Sequence, residues 1–212
     1  MATTPGNASV SIELVRKAQG GDFSALDRLF ERYYPRVLRI VNVRLGRELA
    51  RYVESEDILQ ETFIAAVNAF DQFEMRDESS LIVWLSKIAE NQIRRVAAHE
   101  EALKRDRYRE RALRHVQDSH ASGDIVYDPE DPLRGPLEGL ALEEDIATIE
   151  ECLQEMSMIN REVLLLRFYA DATWEQVAEE LELTSSVAAR SRSARALTDL
   201  ARRLHKRRTL GD

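Results

Sequence analysis

The chain has 212 residues, a hydrophobic content of 44% and a formal net charge of −8 at pH 7. These values allow one or two folded domains with apolar cores. No apolar run is long enough to cross a bilayer, and no signal-peptide core follows the N-terminus. The single cysteine, Cys152, has no partner for an internal disulfide and shares a helical face with apolar residues. The sequence therefore predicts a cytoplasmic protein with a buried thiol.

The negative charge is concentrated in one segment. Residues 119–150 contain nine acidic side chains and one basic side chain, whereas the parts on either side are neutral as a whole. Within the first part, the stretch from Arg94 to Arg114 is clearly basic. A chain with basic surfaces separated by an acidic segment remains compatible with a nucleic-acid partner, despite its acidic average.

The N-terminal half reads as a series of helices. Residues 1–9 have the composition of a disordered tail. Helical patterns then follow over Ser11–Gln19, from Asp22 to about Leu45, over Ser55–Phe70, and from near Ser80 onward. Pro35 lies inside the second pattern and is predicted to kink or interrupt it.

Prolines, glycines and acidic residues dominate residues 118–141, which is the composition of a linker. Helical patterning resumes near Leu142, and Asn160 is the predicted cap of the following helix. No strand alternation is evident. The predicted fold is all-α, with a disordered tail over 1–9 and small helical domains over 10–117 and 142–208, joined by a flexible acidic linker.

The segment Thr173–Leu204 has the pattern of two short helices joined by a tight turn. Thr173 and Gln176 have the spacing of a capping box, so a helix is predicted to begin there. Thr184 or Ser185 is the predicted cap of the second helix, whose inward-facing positions are expected to be Val187, Ala194 and Leu197.

The first helix of this pair is acidic and the second is basic. The basic residues from 190 to 208 stand against one acid, Asp199, and are Arg190, Arg192, Arg195, Arg202, Arg203, Lys206, Arg207 and Arg208. This asymmetry is typical of a helix-turn-helix whose second helix lies against phosphates. An ordinary surface helix pair with a solvated basic face fits the same pattern.

The helix predicted from Ser55 has two contrasting faces. A helical wheel places Leu59, Thr62, Phe63 and Ala66 on the core side. Ile64 falls within the opposite polar face, which is formed by Asp57, Gln60, Glu61 and Asn68. An aliphatic residue ringed by carboxylates and an amide suits a docking patch for a basic helix, although a solvated surface fits the wheel equally.

Patterns expected of enzymes are missing from the sequence. The four histidines are scattered without metal-ligand spacing, and one cysteine cannot supply a zinc site. There is no glycine-rich phosphate loop and no nucleophile elbow. The sequence therefore predicts a protein that is not an enzyme and that needs neither metal nor cofactor.

Three segments, in this order, resemble bacterial RNA polymerase sigma factors of the extracytoplasmic-function (ECF) group. They are SEDILQETF (Ser55–Phe63), WLSKIAENQIRR (Trp84–Arg95) and MSMINREVLLLRFYADATWEQVAEELELTSSV (Met156–Val187). The resemblance covers about 10–115 and 146–205, which match the second and fourth conserved regions. It implies a transcription initiation factor that binds core RNA polymerase and promoter DNA, with an anti-sigma factor as a further candidate partner.

The resemblance also implies residue roles. The polymerase's largest subunit presents a coiled coil, and the positions implied to dock on it are Asp57, Gln60, Glu61 and Ile64. The positions implied to contact the melted minus-ten region are Asp77, Ser80, Asn91, Arg94 and Arg95. Those implied to lie nearest the major groove of the minus-thirty-five element are Ser185, Ser186, Ala189, Arg190, Arg192 and Arg195.

The sequence departs from the family pattern at several positions. Leu81 replaces a usual aromatic residue three before Trp84, and Ala98 and His99 stand where basic residues are common. In the recognition helix, Ala188 and Ser193 replace a common Lys and Arg, which removes phosphate contacts. Arg192 and Arg195 are the candidates to substitute for them.

Two alternatives to a sigma factor remain open on the sequence. One is a stand-alone regulator that binds duplex DNA as a dimer through its C-terminal helix pair; such a regulator does not need the patch Ser55–Ile64. The other is a sigma-like adaptor that binds a partner protein but no promoter, an idea that rests on the departures in the recognition helix.

Overall fold

The computed structural model describes residues 5–114 and 137–210, and this part of the chain consists of helices and turns without β-strands. The first four residues of the predicted tail and residues 118–136 of the predicted linker lie outside the described residues. The helices are α1 (Pro5–Gln19), α2 (Phe23–Leu49), α3 (Ser55–Ala69), α4 (Glu78–Arg114), α5 (Leu137–Gln154), α6 (Met158–Leu164), α7 (Trp174–Glu180) and α8 (Ser186–Leu210). The all-α prediction is confirmed.

Helices α1 to α4 form an N-terminal bundle around one apolar core. Leu29, Leu59 and Leu85 are fully buried and represent three of the four helices in that core. The fourth, α1, packs on α2 through Val15 and through a hydrogen bond that the Tyr33 hydroxyl donates to Ser11 Oγ at 3.1 Å. Burial of these side chains is the main contribution to the stability of the bundle.

Two helix boundaries in this bundle differ from expectation. Helix α1 begins at Pro5 rather than Ser11, since proline is favoured at a first helical position where its missing N–H costs nothing. Helix α2 runs through Pro35 without a break, because Tyr33 and Val37 on either side are held in the core. Its non-helical residue is Gly46, whose φ of 64° is readily adopted by glycine. The predicted interruption at Pro35 is therefore wrong.

Helices α5 to α8 form the C-terminal domain. Helix α5 begins at Leu137, five residues before the predicted start at Leu142. Ser157, rather than Asn160, occupies the cap position of α6, and Asn160 lies inside the helix. A π-helical turn over Leu165–Tyr169 continues α6. Cys152 is buried as predicted, and this burial raises the pKa of its thiol.

The helix-turn-helix is confirmed, together with its capping box. Gln176 N donates to Thr173 Oγ1 at 3.2 Å, and Thr173 N donates to Gln176 Oε1 at 2.7 Å. At the second helix, Ala188 N donates to Ser185 Oγ at 3.2 Å, so Ser185 is the capping side chain.

The inward face of α8 differs from the prediction. Val187, Ala194 and Leu197 are exposed, and the buried positions are instead Ala189, Ser193 and Ala196. Small residues are buried there because α8 packs closely against α6 and α7. The prediction that the larger apolar residues face inward is wrong, and it leaves Val187 66% exposed beside the turn.

The two domains pack against each other. Arg44 of α2 grips the carboxylate of Glu162 on α6 through Nε and Nη2, with Nη2–Oε2 at 2.7 Å. Its Nη1 also donates to the backbone oxygen of Ser86 on α4. The side chains of Arg44 and Glu162 are only 6% and 14% exposed, so this ion pair lies inside the contact between the domains.

Candidate binding surfaces

The outer face of α3 matches the helical wheel. Asp57, Gln60 and Glu61 are exposed, and Ile64 among them is 49% exposed. The opposite face is held down by Leu59, Thr62 and Ala66, which are fully buried, with Ile58 beside them. The patch Asp57, Gln60, Glu61 and Ile64, called here the α3 patch, is therefore available to a partner.

An apolar groove runs beside the α3 patch. Phe63 stacks on Phe30 of α2 with ring centroids 4.5 Å apart, and Tyr34 tilts against the same ring at 6.3 Å. With Ile64 and Val67, these rings line a groove of about 440 Å³ between α2 and α3. Phe63 thus lines an accessible groove rather than packing wholly inward, as the wheel had suggested. The contribution of α2 has no signal in the motif pattern.

The segment before α4 is organised by Asp77. Its carboxylate accepts from Ser80 N at 2.8 Å, from Ser80 Oγ at 2.8 Å and from Ser79 Oγ at 2.7 Å, which caps the helix. Partial burial alone would raise the pKa of Asp77, but hydrogen bonds from Ser79, Ser80 and Gln176 outweigh it and lower the pKa. Asp77 and Ser80, both predicted to contact DNA, are thus engaged within the protein in this structure.

Aromatic rings support the start of α4. Trp84 packs against Phe73 at 4.7 Å and against Phe70 at 6.1 Å between ring centroids. Leu81, which stands where the family usually has an aromatic residue, is fully buried beneath them. Trp84 and Leu85 are core positions, as predicted, although one side of Trp84 remains accessible.

Further along α4, the predicted DNA-contacting residues share one side of the helix. Asn91, Arg94 and Arg95 are exposed; Arg94 pairs with Glu90 at 2.6 Å. Asn91 and Arg94 border a cleft of about 870 Å³ between the two domains. The opposite wall comes from the C-terminal domain and includes Glu180, so acidic residues face this side of α4 across the cleft.

At the start of α8, the predicted groove-facing residues divide into two groups. Ser185, Arg190 and Arg195 are exposed, and Ser186 and Arg192 are partly buried. Ala189 is fully buried. The prediction that Ala189 lies nearest the major groove is wrong, because its side chain packs into the domain core.

Internal ion pairs reduce the basic charge at the far end of α8. Arg203 and Arg207 pair with Glu151 and Glu155 of α5. Arg203 also pairs with Asp199, as does Arg202. The exposed positive charge therefore lies mainly at the start of the helix, around Arg190 and Arg195, which the residue count alone could not show.

Neither metal sites nor membrane spans are found over the described ranges. Across residues 5–114 and 137–210, no group of histidine, cysteine and acidic side chains is arranged to hold a metal ion. Within the same ranges, no helix is long and apolar enough to cross a membrane.

Comparison with known proteins agrees with this domain layout. Residues 29–102 match Sigma-70 region 2, and residues 152–202 match Sigma-70 region 4. The RNA polymerase sigma-H factor of Pseudomonas aeruginosa is 30% identical over 172 residues, covering 80% of this chain and 81% of the relative. The chain belongs to the ECF group of RNA polymerase sigma factors. The sigma factor therefore binds core RNA polymerase and directs promoter recognition and transcription initiation.

Other relatives support the same assignment. Sigma factor NccH of Alcaligenes xylosoxydans xylosoxydans is 28% identical over 207 residues, covering 91% of this chain and 93% of NccH. The ECF sigma-E factor of Escherichia coli K12 is 38% identical over 81 residues, or 37% of each chain.

Among solved structures, CnrH in complex with the cytosolic domain of CnrY has a TM-score of 0.57 and 21% identity, covering 93% of this chain and 98% of CnrH. That likeness concerns the fold. Sigma factors are regulatory subunits of RNA polymerase rather than its catalytic part. The assignment does not favour the stand-alone duplex regulator.

Proposed function

We propose that this sigma factor docks on core RNA polymerase through the α3 patch and the neighbouring groove. The observation that carries the proposal is the half-exposed Ile64, set among Asp57, Gln60 and Glu61 beside stacked aromatic rings. An apolar anchor with an acidic rim fits a basic amphipathic helix, such as one helix of the coiled coil in the polymerase's largest subunit. Apolar burial there contributes affinity, and the rim acids contribute orientation and association rate.

Pull-down with purified core polymerase tests this docking. We expect Asp57→Ala/Glu61→Ala to weaken binding at least tenfold, the effect of losing about 1.4 kcal/mol. Asp71→Ala/Glu74→Ala removes the same charge from exposed positions just after α3 and serves as the matched control. Equal retention of both variants on polymerase would contradict the proposed docking site.

We further propose two DNA-binding surfaces. Asn91, Arg94 and Arg95 on α4, with Asp77 and Ser80 before it, bind the melted minus-ten strand; we call the exposed trio the α4 strand face. Exposed side chains at the start of α8 read the minus-thirty-five element, namely Ser185, Ser186, Arg190, Arg192 and Arg195. Exposed arginines on both surfaces support this proposal, and the chain's own contribution to promoter opening is binding rather than catalysis.

We also propose a cytoplasmic location, since the polymerase acts there. An anti-sigma factor is a further proposed partner, prompted by CnrH, which was solved with the cytosolic domain of CnrY. Run-off transcription with core enzyme on a genomic fragment library tests promoter recognition directly. Absence of any sigma-dependent transcript would speak for the adaptor alternative.

A further inference from the structure

Helix α7, the acidic first helix of the helix-turn-helix, lies beside α4. Lys87 Nζ of α4 forms an ion pair with Glu180 Oε1 of α7 at 2.8 Å. Lys87 is itself 60% exposed, whereas the Glu180 side chain is 17% exposed and turned toward the N-terminal domain. Arg44 is bound by Glu162 on the same side of the bundle.

These carboxylates occupy positions suited to phosphates. The cleft between the domains has Arg44, Lys87 and Arg94 on its N-terminal wall. The C-terminal wall brings Glu162, Glu180 and Glu182 opposite them. A strand of nucleic acid would present its own negative charges to the same basic side chains, so the acidic wall and a DNA strand compete for one surface.

A second contact joins α7 to the segment that begins α4. Gln176 Nε2 donates to Asp77 Oδ2 at 3.0 Å and to Oδ1 at 3.3 Å. Ser79 Oγ lies 2.8 Å from Gln176 Oε1. Gln176 therefore closes the capping box of α7 and, with the other side of the same amide, holds Asp77 in the proposed minus-ten segment.

We propose that the free chain is autoinhibited, with α7 bound as an internal substitute for DNA across the α4 strand face. The proposal builds on the DNA-binding role assigned to that face. It also gives a physical reason for the acidic first helix of a DNA-binding helix pair. A free sigma factor in this state is kept from binding single-stranded DNA away from polymerase.

The position of the α3 patch gives the sequence of events. The patch is exposed while the domains are closed, so polymerase docks first. The domains separate afterwards, when polymerase and promoter offer better contacts to the C-terminal domain. Before that, the apparent DNA affinity is reduced in proportion to the open fraction, about tenfold if one molecule in ten is open.

Gln176→Glu isolates the contact to Asp77. A glutamate at this position keeps the acceptor oxygen that the capping box needs. It replaces the N–H donors to Asp77 with a second carboxylate, so the two residues repel each other. The added negative charge by itself weakens DNA binding; tighter binding by the full-length variant can therefore come only from opening. Asp77→Asn/Gln176→Glu restores a donor and acceptor pair in the reverse sense, and asparagine still caps α4.

A matched pair on α7 tests the ion pair. Glu180→Gln and Glu179→Gln remove the same charge from adjacent positions, and within the described ranges only Glu180 forms an ion pair with α4. The readouts are the distance between spin labels at Asp71→Cys and Thr198→Cys in a Cys152→Ala background, both label sites being exposed, and binding of a fluorescent single-stranded DNA of random sequence.

We expect Gln176→Glu and Glu180→Gln to lengthen the label distance and to tighten DNA binding severalfold. Glu179→Gln and the reversed pair are expected to retain the short distance. Unchanged distances in both opening variants, or longer distances without tighter DNA binding, would overturn autoinhibition. Polymerase pull-down of the same variants separates this failure from a failure of the proposed function, because docking at the α3 patch is independent of α7.

Discussion

The α3 patch is open to solvent, whereas the α4 strand face is bordered by another domain of the same chain. Both belong to the N-terminal bundle and both have the polar exterior expected of a surface helix. On α3, Ile64 is the exposed apolar residue and no covering helix lines its groove. On α4, Lys87 is paired with Glu180 and the cleft is walled by acids. The contrast teaches that a polar helical face can be reserved for a partner or already occupied.

Breaking the buried ion pair is expected to have the largest effect on the covered side. Glu162→Ala leaves Arg44 without its carboxylate, and removing one partner of a buried pair typically costs about 3–5 kcal/mol. Separation of the domains returns Arg44 to water, so the cost is capped by the free energy of opening. We therefore expect a longer label distance with a smaller loss of global stability in urea. Full unfolding without a separable opening step would contradict the two-state arrangement.

Two substitutions on α3 compare its buried and exposed sides. Leu59→Ala removes a fully buried side chain and is expected to cost about 2–5 kcal/mol of unfolding free energy. Ile64→Ala is expected to cost about 0.5 kcal/mol or less while weakening polymerase binding. Urea denaturation and polymerase pull-down measure the two quantities. Comparable stability losses at both positions would show that Ile64 is a core residue rather than a docking residue.

The capping box offers a smaller perturbation of the covering helix. Thr173→Ala removes the hydroxyl that accepts from Gln176 N and is expected to cost about 1 kcal/mol. The loss is local to α7, so hydrogen exchange should increase there before it increases in α3. Thr184→Ala, an exposed position that was the alternative cap of α8, is the control and should leave exchange in α7 unchanged.

The smallest expected effect concerns Glu150 on α5, at the domain contact. Desolvation raises its pKa, opposed by the charge of Arg39. Its Oε1 is buried without a hydrogen-bond partner among the described residues. Since the folded-state pKa lies above the unfolded value, the penalty exists above the folded pKa and disappears as pH falls through it. Glu150→Gln should slightly raise Tm at pH 7 and reduce the gain in Tm on mild acidification; a lower Tm at pH 7 would contradict this reading.

Several features were predictable because they depend on local sequence. The α3 wheel, the buried Cys152 and the Thr173–Gln176 capping box are all confirmed. Each rests on helical periodicity or on residues within one turn. The inward face of α8 was wrong because close packing selected Ala189 and Ala196 over larger residues nearby. Hydrophobicity alone does not convey how closely two helices approach.

The sequence by itself determined the family, the all-α fold and the polar outer face of α3, because these follow from short motifs and from the 3.6-residue period. Only the tertiary structure decided which polar faces remain free. Arg44 with Glu162, and Asp77 with Gln176, are far apart along the chain, and no periodicity links them. Their pairing depends on how two folded domains meet, and that contact places acidic residues against α4.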